Sequence, residues 1–242
     1  MKSSAKSLQS PPADIHSLPP WLTPFIAERW HAASADGIEH HLILPDNCMD
    51  LIVEQGRWCV VGAATTAFTA TVVPGRPLQG MRFKPGVLPI LLGVDARALL
   101  DSRQALEDVE PMCTETWRRR LDRAETDGRL RMLAGLARSD ARRVSDLARE
   151  LGHSARHLRR RLTPLLGYSS VQWLRIRRIQ ALVKRGSQHE DLAALALLIG
   201  FSDQAHMNRE CRIWTGMTPR ELRDHPPTGV HSSINTPFKS RT

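Results

Sequence analysis

Hydrogen-bonding side chains of four different shapes crowd into one short segment of this sequence, GFSDQAHMNRECRIWTGMTP at residues 200–219. It carries the amides of Gln204 and Asn208, the imidazole of His206 and the guanidinium of Arg209. Such a set could read the edges of nucleic-acid bases, because A·T and G·C pairs differ in their order of donors and acceptors. The chain shows no obvious catalytic centre, so recognition and not catalysis is the function that these residues suggest.

A second candidate set lies upstream, in SARHLRRRLTPLLG. At helical spacing, Arg156, Arg159 and Arg160 share a face that differs from the apolar one. Guanidinium groups on a rigid helix can reach phosphates, or bond bidentately to O6 and N7 of guanine. The apolar face that must turn to the core consists of Leu158, Leu162, Leu165 and Leu166.

The two sets belong to one repeated unit. In LARELGHSARHLRR and LALLIGFSDQAHMNR, Ala148 and Gly152 match Ala196 and Gly200. Each unit reads as a short apolar helix, a turn and a second helix, which is typical of a helix-turn-helix. Candidate caps and stops are Ser154, Ser169 or Ser170, Ser202 or Asp203, and Thr218, with Gly152, Gly167, Gly186, Gly200 and Gly216.

Positive charge is concentrated where these units lie. The chain carries a formal net charge of +9, yet residues 1–141 hold 16 Lys and Arg against 17 Asp and Glu. Residues 142–225 hold 16 against 8. This asymmetry predicts that the C-terminal part meets a polyanion and the N-terminal part does not.

The N-terminal part reads differently. Alternating residues and turns between about 40 and 84 predict four or five antiparallel strands, with turns at Gln55-Gly56 and Pro74-Gly75. A helical period follows Pro85-Gly86, so this domain is expected to be α+β and the C-terminal domain all-α. The predicted division is a flexible tail at 1–19, an α+β domain at 20–140, a domain with the two helix-turn-helix units at 141–225 and a flexible tail at 226–242.

Several classes of protein are disfavoured. The N-terminus has no apolar run of signal-peptide length, and the most apolar stretch, 192–201, is too short to span a bilayer, so a cytoplasmic protein is expected. The cysteines lack C-x-x-C spacing, which argues against a disulfide framework or structural zinc site and predicts small buried residues. They are Cys48, Cys59, Cys113 and Cys211.

Three specific functions remain open for residues of the N-terminal domain: a metal site, a reactive thiol and an effector pocket. Each is weighed against a purely structural role. His40, His41 and Cys48 could ligate a metal, but adjacent strand residues point to opposite faces, and no metal or other cofactor is predicted. Cys48 could be a reactive thiol, but neighbouring carboxylates would raise its pKa. Arg82 and Lys84 could line a pocket for an anionic effector, although the favoured interpretation places both in solvent.

Residues 142–223 resemble the DNA-binding domain of AraC/XylS-type transcription regulators. In that family the second half typically ends in G-F-S-D-Q-S-H-F-x-R-x-F-K-x-x-x-G-x-T-P, against GFSDQAHMNRECRIWTGMTP here. The resemblance implies seven helices, two helix-turn-helix units, a long linker helix at about 169–185, and recognition helices in successive major grooves. Ala205 replaces the usual Ser, and Met207, Cys211 and Trp214 replace the usual core residues. The implied DNA-contacting residues are Ser154, Arg156, Arg159, Arg160, Ser202, Gln204, His206, Asn208 and Arg209.

LPDNCMDLIV and GMRFKPGVLPILLG resemble an uncharacterised domain that precedes such DNA-binding domains, with patterns near L-P-D-G-x-x-D-L-V and G-x-R-F-x-P-G. Asn47 stands where Gly is usual, which a left-handed turn position would tolerate. The resemblance implies a sensory or dimerisation domain and names no ligand.

Together these features predict a non-enzymatic, sequence-specific transcription regulator. An activator is expected, although the sequence leaves activation against repression open. Its expected partners are double-stranded DNA and RNA polymerase, with a small-molecule effector and a homodimer left open and no membrane partner. One alternative is a DNA-linked enzyme or a cysteine-based sensor or repair protein, active in the N-terminal domain. Another is a protein-interaction module whose basic surface is incidental, which predicts no salt-sensitive DNA binding.

Overall fold

The computed structural model describes residues 15, 18–110 and 113–227 of the 242-residue chain. The strands in these residues are β1 Ile26–Ala32, β2 Glu39–Ile43, β3 Met49–Glu54, β4 Arg57–Val61, β5 Phe68–Val72, β6 Leu78–Phe83 and β7 Arg103–Ala105. The α-helices are α1 Val87–Leu92, α2 Leu106–Val109, α3 Thr114–Thr126, α4 Arg129–Arg138, α5 Val144–Glu150, α6 Ala155–Leu166, α7 Ser170–Arg185, α8 Leu192–Ile199, α9 Gln204–Thr215 and α10 Pro219–Asp224. Short 3-10 helices cover Pro20–Phe25, Ala96–Ala98 and Gly186–Gln188. The predicted α+β class is confirmed.

Two antiparallel sheets form the N-terminal part. One has five strands in the order β1-β6-β3-β4-β7, and the other pairs β2 with β5. Gln55 and Gly56 join β3 to β4 with φ of 50° and 78°, which suits the tight two-residue turn predicted there. Asn47 has φ of 69°, the left-handed conformation anticipated at its position.

The central strand β3 is buried on both faces. Leu51 and Val53 pack in the core that includes the helices, whereas Ile52 packs in a smaller core with Trp30 of β1 and Val72 of β5. The alternation along β3 therefore separates two cores from each other, because β2 and β5 cover the face that the helices leave open.

Two strands, β1 and β7, and one end of the core were not predicted from the sequence. Both strands lie at edges of the five-stranded sheet, where the exposed positions of β1 blur its alternation. Most of the predicted tails at 1–19 and 226–242 lies outside the described residues. Within the first of them, Ile15 and Leu18 are nonetheless buried in the main core.

Local signals set the ends of the C-terminal helices. Ser154, Ser169 and Thr218 cap α6, α7 and α10, and Asp203, not Ser202, caps α9. Left-handed glycines end α6, α8 and α9 as predicted. Gly186 differs, because it keeps a right-handed helical conformation and continues into a 3-10 turn. Residues 142–224 contain six α-helices, α5 to α10, and the seven implied by the resemblance are reached only if α4, which precedes the predicted domain boundary, is counted.

The main hydrophobic core runs across residue 141. It joins the five-stranded sheet and α1 to Leu158, Leu162 and Trp173 of the first helix-turn-helix unit and linker helix. Gly167 lies so close to the N-terminal part that an added Cβ would sit 2.6 Å from Leu100 Cδ2. The second unit has a separate core built on α7, α8, α9 and α10. The first unit is thus packed as part of the N-terminal body.

Candidate nucleic-acid interface

The helices α6 and α9 are built alike. Each has twelve residues and begins at a cap whose side chain accepts a hydrogen bond from the third helical amide. The distances are 3.2 Å from His157 N to Ser154 Oγ and 2.6 Å from His206 N to Asp203 Oδ1. Each ends at a left-handed glycine. The repeat seen in the sequence is therefore a repeat of structure.

Equivalent positions of the two helices are buried. Leu158 and Leu162 of α6 correspond to Met207 and Cys211 of α9, counted from the caps, and all four are fully buried. The substitution of Met and Cys for the usual core residues keeps this face apolar, so α9 packs normally against its core.

On α6 the three predicted arginines lie together on the outer face. Arg156, Arg159 and Arg160 are exposed, and none of their guanidinium groups meets a carboxylate within the described residues. Because Ser154 Oγ accepts the capping bond, its hydroxyl hydrogen stays able to donate to a phosphate. The structure therefore brings the first predicted set together on one surface.

On α9 the predicted residues divide. Gln204, Asn208 and Arg209 are exposed, and Asn208 and Arg209 correspond to Arg159 and Arg160 of α6 when the helices are counted from their caps, whereas Gln204 corresponds to Ala155. His206 is half-buried, and its Nδ1 lies 3.3 Å from the backbone N and 3.0 Å from the Oγ of Ser202. Its ring also packs edge-on against Phe201, with centroids 5.4 Å apart. His206 and Ser202 thus shape the turn before α9.

A buried carboxylate fastens α9 to the linker helix, a feature that sequence reasoning missed. Glu210 is 8% exposed and lies 3.2 Å from Arg175 Nε of α7. It also accepts a hydrogen bond of 3.2 Å from Trp214 Nε1. The sequence feature that could have indicated this contact is a single Glu among the apolar positions of α9. The angle at which α9 meets α7 therefore depends on this side chain.

We expect Glu210→Ala to lower the free energy of unfolding by about 1 to 3 kcal/mol, because it leaves the buried Trp214 Nε1 without its acceptor. Urea unfolding followed by circular dichroism measures the change. The exposed Glu190→Ala serves as control and should stay within about 0.5 kcal/mol of the parent. Equal midpoints for the two variants would contradict a fastening role.

Part of the positive charge of the C-terminal third is used internally. Arg177 donates to Ser139 O and stacks 4.7 Å from the Trp173 ring, and Arg178 donates to Arg142 O at 2.6 Å. Partial burial lowers the pKa of both Arg177 and Arg178. Of the basic residues on the linker helix, Arg177 and Arg178 are thus engaged internally, whereas Lys184 and Arg185 in its last turn stay exposed.

The preference for a solvent-facing Arg82 is wrong. Its side chain is 13% exposed and bonds to Asp50 at 3.0 and 3.1 Å, and it forms an ion pair with Asp46. Burial lowers the pKa of Arg82, but the two carboxylates outweigh that effect and raise it. Lys84, by contrast, is exposed. The carboxylates that pair with Arg82 lie far from it in the sequence, so residue spacing could not indicate these ion pairs.

The thiols give no support to a reactive site in the sheets. Burial, and secondarily Asp46, raises the pKa of Cys48, as the sequence predicted. The prediction of four buried cysteines is wrong in part, because only Cys211 is fully buried, and Cys48, Cys59 and Cys113 are half-buried.

Over the described ranges, no group of three His, Cys, Asp or Glu side chains could hold a metal ion. Nor, in that part of the chain, is any helix both long enough and apolar enough to cross a membrane.

Comparisons with known proteins divide the chain in two. Residues 147–225 match a family described as Helix-turn-helix domain, and residues 17–105 match a Domain of unknown function (DUF6597). The first match contains α6 and α9, and the second contains all seven strands described above.

Curated relatives align over short stretches. The HTH-type transcriptional regulator VirS of Mycobacterium tuberculosis is 53% identical over 32 residues, which cover 13% of this chain and 9% of that protein. The Ornithine utilization regulator of Pseudomonas aeruginosa is 38% identical over 84 residues, covering 34% of this chain and 24% of that protein. The chain thus spans less than a quarter of the length of the curated relatives that it matches.

Among solved structures, ToxT from Vibrio cholerae aligns with 83% of this chain and 98% of its own, at 10% identity and a TM-score of 0.39. A likeness that weak supports no conclusion about this molecule. The helix-turn-helix match and the AraC-type motif, however, coincide on α6 and α9. Residues 147–225 are therefore an AraC-type helix-turn-helix domain of the kind found in transcription regulators, and a domain of unknown function precedes it.

Proposed function

We propose that this chain is a sequence-specific DNA-binding transcription regulator that places α6 and α9 in successive major grooves on one face of the duplex. The observation that carries the proposal is the pair of equally built helices, whose equivalent outer faces are polar and exposed. A major groove admits one α-helix, and two helices on one rigid linker suit two neighbouring grooves.

The outer faces suggest different tasks. On α6, three guanidinium groups suit guanine edges and phosphates, whereas Gln204 and Asn208 of α9 suit adenine. Arg209 corresponds to Arg160 when the helices are aligned at their caps. His206 is assigned a positioning role, because its ring nitrogen already serves Ser202. Phosphate contacts would supply much of the affinity, and base contacts the specificity.

Hydroxyl-radical footprinting of the full chain on a bound genomic fragment tests this proposal. Two protected segments about one helical turn apart, on the same face of the DNA, are the expected result. A single protected segment would mean that only one of the two helices enters a groove. Protection that follows no sequence and vanishes with modest salt would mean that the basic surface is non-specific.

The proposal also assigns the regulatory role to the N-terminal domain. Support comes from its direct packing on the DNA-binding part, including the core shared with α6. RNA polymerase is the expected partner of an activator, and residues 20–140 are the expected site of any homodimer. Transcription from a bound promoter, measured with purified polymerase with and without this protein, checks the direction of regulation.

A further inference from the structure

A partly open cavity of about 590 Å³ lies between the two sheets of the N-terminal domain. Its walls are mainly apolar, and Trp30, Ile52 and Leu78 of the large sheet face Ile43 and Phe68 of the small one. This volume lies within the range of small-molecule sites, which combine apolar walls with a few placed polar groups. We call it the inter-sheet cavity.

The charged groups of the inter-sheet cavity favour a cation. Its two guanidinium groups already have carboxylate partners, since Arg82 is held by Asp46 and Asp50, and Arg103 by Glu54. Carboxylates outnumber guanidinium groups in the lining, since Asp46, Asp50 and Asp101 lie there with Arg82 and Arg103, and a carboxylate can accept several hydrogen bonds. An anionic ligand would therefore lie beside like charges, at guanidinium groups that already pair with carboxylates. A protonated amine would instead gain a charge-assisted hydrogen bond.

Two segments that line the inter-sheet cavity are also docked on the DNA-binding part. In the first, residues 44–48, Pro45 O accepts a 2.6 Å hydrogen bond from Gln180 Nε2 of α7. Asn47 Oδ1 accepts another from the buried Tyr168 hydroxyl, whose raised pKa, caused by burial, keeps it a donor. Leu44 packs against the core of the second unit.

The second segment, residues 64–68, reaches the recognition helix itself. Ala67 N donates a 2.8 Å hydrogen bond to Trp214 O in the last turn of α9. Its neighbours Thr66 and Phe68 line the inter-sheet cavity. The other end of the segment is fixed by Asp101, which accepts from Thr65 N at 2.7 Å. A molecule in the cavity would therefore touch residues adjacent to a direct contact with α9.

We propose that the inter-sheet cavity binds a small molecule with an apolar body and a protonated amine, and that its occupancy alters DNA binding through segments 44–48 and 64–68. The regulatory half of this inference rests on the proposed function, whereas the binding half does not. The amine lies at the Asp46 and Asp50 end, and the apolar body fills the space between the sheets.

Fragment triplets test the binding half. Each triplet presents one apolar skeleton as an amine, an alcohol and a carboxylate, and binding to the full chain without DNA is measured by calorimetry and by the rise in Tm. The expected result is that amines bind at least about tenfold more tightly than their matched carboxylates. Tighter binding of the carboxylates, or no binding by any triplet, would overturn the proposal.

Two further measurements locate the bound amine. Ala70→Phe places a ring in the cavity and should abolish amine binding, and Ala27→Phe, at an exposed position on β1, should leave it unchanged. Hydrogen exchange of the unaltered protein covers the case in which Ala70→Phe does not fold. Added amine should slow exchange in segments 44–48 and 64–68, and protection confined to other segments would contradict the assignment.

The regulatory half is tested by titrating a bound genomic fragment with and without saturating amine. We expect the DNA Kd to change at least about fivefold, and the change to shrink in Gln180→Ala, which cuts one link while leaving the cavity lining intact. An unchanged Kd would overturn the regulatory half. Amine binding by a chain that binds no DNA would refute the proposed function and leave the site standing, whereas DNA binding without amine binding would do the reverse.

Discussion

Arg82→Ala is expected to lower the free energy of unfolding by about 3 to 5 kcal/mol, the largest single effect on stability anticipated for a polar residue here. The substitution removes the cation that pairs with Asp46 and with the buried Asp50 of β3, and an uncompensated buried charge is costly. Urea unfolding of the full chain, followed by circular dichroism, measures the loss.

Lys84→Ala is the matched control for Arg82→Ala. Lys84 lies two residues further along and carries the same charge, but it is exposed and should change stability by no more than about 0.5 kcal/mol. If both variants unfolded at the urea midpoint of the parent, Arg82 would not be the centre of a buried ion-pair cluster.

Replacing both Arg160 and Arg209 with Ala should remove most of the sequence preference in DNA binding. Each side chain, if it reads a base, contributes about 1 to 3 kcal/mol of discrimination. The two lie on different helices with no shared partner, so their effects should add to about 2 to 6 kcal/mol. Fluorescence anisotropy with the selected fragment and with random DNA, at fixed salt, measures both affinities.

The control for the arginine pair is Arg138→Ala, which removes one exposed positive charge at the end of α4, outside both recognition helices. It should weaken specific and random binding little and alike. Equal losses on both DNAs in the Arg160 and Arg209 variants would instead identify the two arginines as phosphate contacts, and base readout would then have to come from Arg156, Arg159, Gln204 or Asn208.

Features encoded in adjacent residues could be predicted from the sequence. The starts of α6, α7 and α10, the left-handed glycines after α6 and α9, and the turn at Gln55-Gly56 all depend on a few neighbours. The exposed arginines of α6 followed equally well, because helical spacing alone separates them from the leucines.

Features that depend on distant partners could not be predicted. In the sequence, Arg82 is indistinguishable from an exposed basic residue of a strand. The pairing of β3 with β6 places Asp50 beside it in the folded chain. His206 is a polar residue of the kind that reads bases, but its ring Nδ1 bonds to the backbone N of Ser202 in the turn before α9. The core that crosses residue 141 arises from packing between helices and sheets, which composition along the chain does not record.

Selection of bound fragments from genomic DNA by the purified full-length protein, followed by titration of the recovered fragments against random DNA, tests the central claim most directly. Specific regulators bind their sites at least about a thousandfold more tightly than random sequence. We predict such a ratio, with two half-elements about one helical turn apart in the recovered site. Uniform weak binding that disappears as salt is raised would contradict sequence-specific recognition by α6 and α9.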